Sequence, residues 1–133
     1  MVTTSDNAVP TILVLEPDVL VRTTISEFLR ECGYYVIEGV CAHDAWAVIQ
    51  SGRRLDVVFS EVQLSDSVSG FSLASELRQT HPGIDVILNS GIESAAEKSS
   101  ELCEQGPMLK PYHPQEVATR IHLLLERRRM SKT

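Results

Sequence analysis

The strongest constraint on the fold is a regular alternation of short apolar runs with amphipathic segments along the 133 residues. Residues 11–15 (TILVL) form a continuous apolar run, which is typical of a strand covered on both faces. Residues 18–32 follow with apolar side chains at spacings of three and four, which predicts an amphipathic helix. The same unit recurs down the chain, and such alternation predicts a parallel sheet with helices on both faces.

The element boundaries follow from these two patterns and from the glycines and prolines between them. We predict strands over 11–15, 34–39, 55–60, 85–89 and 107–110. We predict helices within 18–32, 42–52, 70–83, 93–106 and 113–129, the third of them stopped by Pro82 and Gly83. Gly33 suits the position just after the first helix, and Pro114 suits the first turn of the last one. We expect one domain over residues 10–128, between tails at 1–9 and 129–133.

Composition and charge exclude several classes of protein. The net charge is −6, with 18 acidic and 12 basic residues, so the surface would repel phosphate backbones and we expect no nucleic-acid partner. Cys32, Cys41 and Cys103 form no CxxC pair, which favours a reducing cytoplasmic location over a disulfide framework. No apolar run approaches the roughly 20 residues that a membrane span needs, so we expect no membrane association.

Chemically useful side chains come at or just after the carboxyl ends of the predicted strands. They are Glu16, Pro17 and Asp18 after the first strand, Glu61 after the third, Asn89 and Ser90 at the fourth, and Lys110 at the fifth. In open parallel sheets, ligands bind beyond these ends, where the strand order reverses, so we expect these residues to gather at one edge. An acid cluster facing a lysine suits a divalent cation such as Mg²⁺, a phosphoryl group, or both.

In order and spacing, the motifs resemble the receiver domain of bacterial response regulators, the phosphoacceptor half of two-component signalling, over residues 10–128. Four stretches carry the resemblance: ILVLEPDVLVR (12–22), DVVFSEVQL (56–64) with the SGF after it (69–71), ILNSG (87–91) and LKPY (109–112). The resemblance implies a flavodoxin-like, doubly wound (βα)5 fold with a five-stranded parallel sheet. It also implies phosphoryl transfer from a histidine kinase to an aspartate, Mg²⁺ held by two acids and a backbone carbonyl, and a signalling role without enzymatic activity.

The chain departs from the family pattern at the site itself. Glu61 stands at the phosphoacceptor position, and Pro17 replaces the aspartate that binds the metal directly, beside an acidic pocket of Glu16 and Asp18. Proline has no side-chain oxygen, so any bound Mg²⁺ would be held weakly, by Glu16, Glu61 and the backbone of Gln63. Glutamate also places its carboxylate about 1.5 Å farther out than aspartate. Ordinary phosphorylation at this position is therefore disfavoured.

The remaining family positions complete the prediction. Lys110 matches the lysine that pairs with the acceptor and the phosphoryl group. Asn89 replaces the switch Thr or Ser, with Ser90 beside it, and Pro107 stands where an aromatic switch residue often lies. A Glu61–Lys110 pair would imitate part of the charge of a phosphorylated acceptor. We therefore predict a degenerate receiver that needs no cofactor and acts by phosphate-independent contact with a partner.

Two alternatives stay open. In the first, the receiver is still phosphorylated, because Asp18 or water repairs the metal site, or because Ser60 or Asp66 accepts the phosphoryl group. In the second, the acids after the first strand belong to a small phosphatase similar to the haloacid dehalogenases. As partners we expect a sensor histidine kinase or another signalling protein. A homodimer through the fourth helix, fifth strand and fifth helix is also possible.

Overall fold

The structure is a computed structural model, and it describes residues 9–90, 108–109 and 114–131. Its strands are β1 Thr11–Leu15, β2 Tyr35–Gly39, β3 Val57–Glu61, β4 Asp85–Ser90 and β5 Met108–Leu109. They form one five-stranded parallel sheet in the order β2-β1-β3-β4-β5. This strand order is that of flavodoxin-like doubly wound domains, so the predicted fold class is confirmed.

Four helices lie in the described residues: α1 Val19–Glu31, α2 Ala42–Gln50, α3 Gly70–Thr80 and α4 Pro114–Ser131. Helix α4 corresponds to the fifth predicted helix and begins at Pro114 as expected, whereas the predicted helix over 93–106 lies outside the described residues. Gly33 has a φ of +99° directly after the last residues of α1, as its predicted place after the helix requires. None of these four helices combines the length and apolar character that crossing a bilayer requires.

The helices cover both faces of the sheet, which explains the continuous apolar runs of the inner strands. Side chains alternate between the faces along each strand, so Val14 and Phe59 pack on the face of α1 and α4, while Leu13 and Val58 pack on the face of α2 and α3. Helix side chains that complete the first core are Ile25, Leu29, Val117 and Ile121, and those of the second are Ala42, Ala45, Leu73 and Leu77.

At the edge of the sheet where the strands begin, Asp56 stabilises the pairing of β1 with β3. Its role was not predicted from the sequence. This residue directly precedes β3 and is buried, with 6% of its surface exposed. Its Oδ2 accepts a hydrogen bond from the Thr11 N–H at 2.8 Å, and its own N–H donates to the Thr11 carbonyl at 3.0 Å. Arg54 Nε lies 3.1 Å from the other carboxylate oxygen. Asp56 therefore joins two central strands through both its backbone and its side chain.

We expect Asp56→Ala to lower the free energy of unfolding by about 1–3 kcal/mol, because the buried Thr11 N–H loses its charged acceptor. Arg54→Ala is the matched control, because it removes the other partner of the ion pair. The Arg54 side chain is 45% exposed. Its cost should stay within about 1 kcal/mol. Urea denaturation of both variants measures the difference, and equal losses would show that the buried hydrogen bond adds little.

Candidate functional site

The carboxyl edge of the sheet gathers three of the predicted site residues. Glu61 and Asn89 are register partners on β3 and β4. Glu16 directly follows β1, whose last residue, Leu15, is paired with Ser60. Glu16 is 2% exposed, Asn89 is fully buried, and Glu61 is partly buried. The expected convergence of the ends of β1, β3 and β4 is therefore present.

The turn from β1 into α1 uses the carboxylates of its two acids to hold backbone amides. Asp18 is the N-cap of α1, and its Oδ1 accepts hydrogen bonds from Leu20 N at 2.9 Å and Val21 N at 3.2 Å. Glu16 Oε2 accepts from Asp18 N at 3.1 Å. An N-cap of this kind contributes about 1 kcal/mol to stability. One of the two carboxylate oxygens of Asp18 is thus engaged by the start of α1 and is not available to replace the metal ligand that is missing at Pro17.

Arg22 is a site-positioning residue that the sequence analysis missed. Its Nη1 donates to the Glu16 carbonyl oxygen at 2.8 Å, and its Nε lies 3.2 Å from Glu38 Oε1 on β2. Arg30 binds the second oxygen of Glu38 at 3.1 Å. The spacing in the sequence could have predicted this role, because Arg22 lies one helical turn after Asp18. At that position a long side chain reaches back toward the start of the helix.

Glu61 turns its carboxylate back onto its own loop. Its Oε1 accepts from Val62 N at 2.9 Å, and the same N–H donates to the Asn89 carbonyl at 3.1 Å. Gly70, at the start of α3, donates its N–H to the Val62 carbonyl at 2.7 Å. A Cβ at Gly70 would lie 2.5 Å from the Glu61 carbonyl oxygen, so this close approach requires glycine.

Asn89 is an unusual buried group. Within the described residues, neither its Oδ1 nor its Nδ2 has a hydrogen-bond partner, although such buried amides are normally satisfied.

The two alternative phosphate acceptors, Ser60 and Asp66, are both engaged in hydrogen bonds. Ser60 is buried, and its hydroxyl donates to the Glu61 carbonyl at 2.9 Å, so the hydroxyl does not face solvent as a phosphate acceptor would. Asp66 is bound to the start of α2, since its Oδ2 accepts from His43 N at 3.3 Å.

Some predicted site residues lie outside the described part of the structure. These are Pro107, Lys110 and the side chain of Ser90. The Glu61–Lys110 pair therefore stays a prediction, as do the roles of Ser90 and Pro107. The backbone of Ser90 ends β4, as its place in the sequence suggested.

The side chains described at this edge do not provide the oxygen ligands of the Mg²⁺ site that the resemblance implies. Mg²⁺ needs a near-octahedral set of oxygen ligands. Pro17 offers no side-chain oxygen, Asp18 caps α1, and Glu16 and Glu61 each accept a backbone N–H. In the described ranges, no three acidic, histidine or cysteine side chains are grouped so that they could hold a metal ion.

The fold and its acidic carboxyl edge define a receiver-type signalling domain. A match to the response regulator receiver domain family covers residues 12–122 of the chain. The chain belongs to this family and is a response regulator receiver domain of two-component signalling. Receiver domains are generally signalling modules rather than enzymes, and they interact with sensor kinases and other signalling proteins.

Individual relatives agree with this assignment. The uncharacterized transcriptional regulatory protein YbdJ of Bacillus subtilis (strain 168) is 29% identical over 116 residues, which cover 86% of this chain and 50% of YbdJ. The sensor kinase CckA of Brucella abortus (strain 2308) is 30% identical over 120 residues, which cover 88% of this chain and 13% of CckA. The chain therefore spans half or less of the length of these two relatives.

A solved structure supports the fold independently. The signal receiver domain of an HD domain-containing protein from Pseudomonas fluorescens Pf-5 superimposes with a TM-score of 0.84 at 21% sequence identity. The match covers 99% of this chain and 96% of that one. At this level of identity the likeness shows the fold, and the chemistry has to be argued from the residues of the site.

Proposed function

We propose that this receiver signals by phosphate-independent contact with a partner, with Glu61 as a fixed charge at the acceptor position. The observation that carries the proposal is the use of Asp18 as the N-cap of α1. Pro17 has already removed one metal ligand, and the nearest acid that could replace it is bound to Leu20 N and Val21 N. Without the metal, the charge that develops in phosphoryl transfer lacks its main stabiliser.

The position of Glu61 supports the same proposal. Its carboxylate accepts from Val62 N at 2.9 Å, so it is held close to the loop that follows β3. A glutamate supplies one negative charge, compared with the −1.5 to −2 of a phosphoryl group at pH 7. Glu61 therefore reproduces part of the electrostatics of a phosphorylated acceptor, and we propose that Lys110 pairs with it.

The proposed partners follow from family membership. A sensor histidine kinase or another signalling protein is the expected binding partner, and CckA shows that a related domain occurs within a sensor kinase. A homodimer through residues 93–106, β5 and α4 is a second possibility. The acidic surface, with a net charge of −6, supports a protein partner over nucleic acid, and the scattered cysteines support a cytoplasmic location.

Intact-mass analysis after incubation with acetyl phosphate and Mg²⁺ tests the proposal. We expect the wild-type chain to keep its unmodified mass, because both the metal ligand set and the acceptor geometry are altered. Glu61→Gln is the matched control, since it keeps the side-chain length but removes the carboxylate. A stoichiometric phosphoryl adduct on the wild type that disappears in Glu61→Gln would show a competent acceptor and refute the proposal.

A further inference from the structure

The loop between β3 and α3, residues 62–69, is bound to the start of α2. Ser65 N donates to the Val40 carbonyl at 3.0 Å, and Asp66 Oδ2 accepts from His43 N at 3.3 Å. In the sheet, β1 lies between β2 and β3. These two hydrogen bonds therefore connect the segment after β2 with the segment after β3, although β2 and β3 are not neighbours in the sheet.

Helix α2 depends on this loop for a side-chain cap. Its own N-cap residue, Cys41, makes no side-chain capping hydrogen bond. The first N–H groups of a helix have no partner within the helix, and a negative charge is favoured near them. Asp66 supplies both an acceptor and a charge, and within the described residues its second oxygen is buried without a hydrogen-bond partner. Among the described residues, the hydrogen bond of the Asp66 side chain is therefore made to the start of α2.

Both ends of this connection are firmly held. On the α2 side, Asp44 Oδ2 accepts from Val40 N at 2.8 Å, and a Cβ added to Gly39 would lie 2.8 Å from Asp44 Cβ. On the β3 side, the Glu61 side chain and the Gly70 N–H both bind Val62. The short chain segment from Val62 to Asp66 therefore links the side chain at position 61 to the first turn of α2.

We propose that Asp66 is a strap that couples the side chain at position 61 to α2, so that α2 responds to changes at the acceptor position. The strap goes beyond the proposed function, because it acts whether or not position 61 is phosphorylated. Coupling of this kind requires that both sites bias one element, and here that element is the first turn of α2.

Hydrogen exchange of individual amides tests the capping half of the proposal. Asp66→Ala should speed exchange of the His43 amide roughly 5-fold, which corresponds to the loss of a typical helix cap. Asp66→Asn keeps a neutral acceptor and should fall between Asp66→Ala and the wild type. Ser69→Ala is the matched control, because Ser69 Oγ accepts from Ser72 N at 3.1 Å and caps α3 in the same loop. It should speed exchange of the Ser72 amide and leave His43 unchanged.

A double-mutant cycle tests the coupling half. Glu61→Ala should change the exchange rate of the His43 amide at least about 2-fold in the wild-type background and leave it unchanged in the Asp66→Ala background. Trp46, the single tryptophan of the chain, lies in α2, and its fluorescence gives a second readout. An unchanged His43 exchange rate in Asp66→Ala would overturn the strap. So would an equal effect of Glu61→Ala in both backgrounds.

Discussion

The double variant Pro17→Asp/Glu61→Asp is expected to form a Mg²⁺-dependent aspartyl phosphate with acetyl phosphate, at a rate more than about 100-fold above that of the wild type. Aspartate at position 17 restores a charged oxygen ligand, and Asp18 can remain the cap of α1. Aspartate at position 61 withdraws the carboxylate by about 1.5 Å. Phosphoryl transfer depends on positioning and on the metal together, so each single variant should gain far less. Intact mass against time and Mg²⁺ concentration measures the gain.

The control for this prediction is Pro17→Ala/Glu61→Asp, which removes the proline ring without adding a ligand. It should behave like Glu61→Asp alone. Equal rates for Glu61→Asp and the double aspartate variant would show that position 17 does not limit phosphorylation. If the double variant stays unmodified at saturating Mg²⁺, the loss of function lies outside these two positions.

Gly70→Ala should lower the free energy of unfolding by about 1–3 kcal/mol, the range found when extra methylenes are forced into close packing. The added Cβ would lie 2.5 Å from the Glu61 carbonyl oxygen and 3.1 Å from Val62 Cα, and both are backbone atoms that cannot rotate away. The start of α3 must then move, and the Val62 amide that binds the Glu61 carboxylate moves with it. Urea denaturation gives the loss in stability.

Gly83→Ala is the control for the change of glycine to alanine itself. The nearest atom to a Cβ at Gly83 is Arg128 Nη2 at 3.9 Å, an ordinary van der Waals distance, and Gly83 does not have a positive φ. This variant should be neutral or slightly stabilising, because alanine reduces the entropy of the unfolded chain. A Gly70→Ala variant as stable as Gly83→Ala would show that the loop relaxes freely and that position 70 does not constrain Glu61.

Local chemistry explains where the predicted element boundaries hold and where they shift. Strand β1 covers residues 11–15 as predicted, because four of its five residues are apolar and all five are buried. Strand β3 begins at Val57 rather than at residue 55, because Asp56 turns its carboxylate to the Thr11 N–H. Helix α3 ends at Thr80, just before the predicted stop at Pro82 and Gly83, since the residue before Pro82 is disfavoured in helical conformation.

The sequence by itself determined the fold class, the main strands and helices, and the convergence of Glu16, Glu61 and Asn89 at one edge. Those features follow from apolar periodicity and from the geometry of parallel sheets, which local patterns encode. Only the tertiary structure decided which distant atoms the carboxylates of Asp56 and Asp66 bind. Asp56, just before β3, binds Thr11 on β1, and Asp66 caps a helix that begins 24 positions earlier. Such contacts join segments far apart in the chain, and their geometry is set by the packing of whole strands and helices.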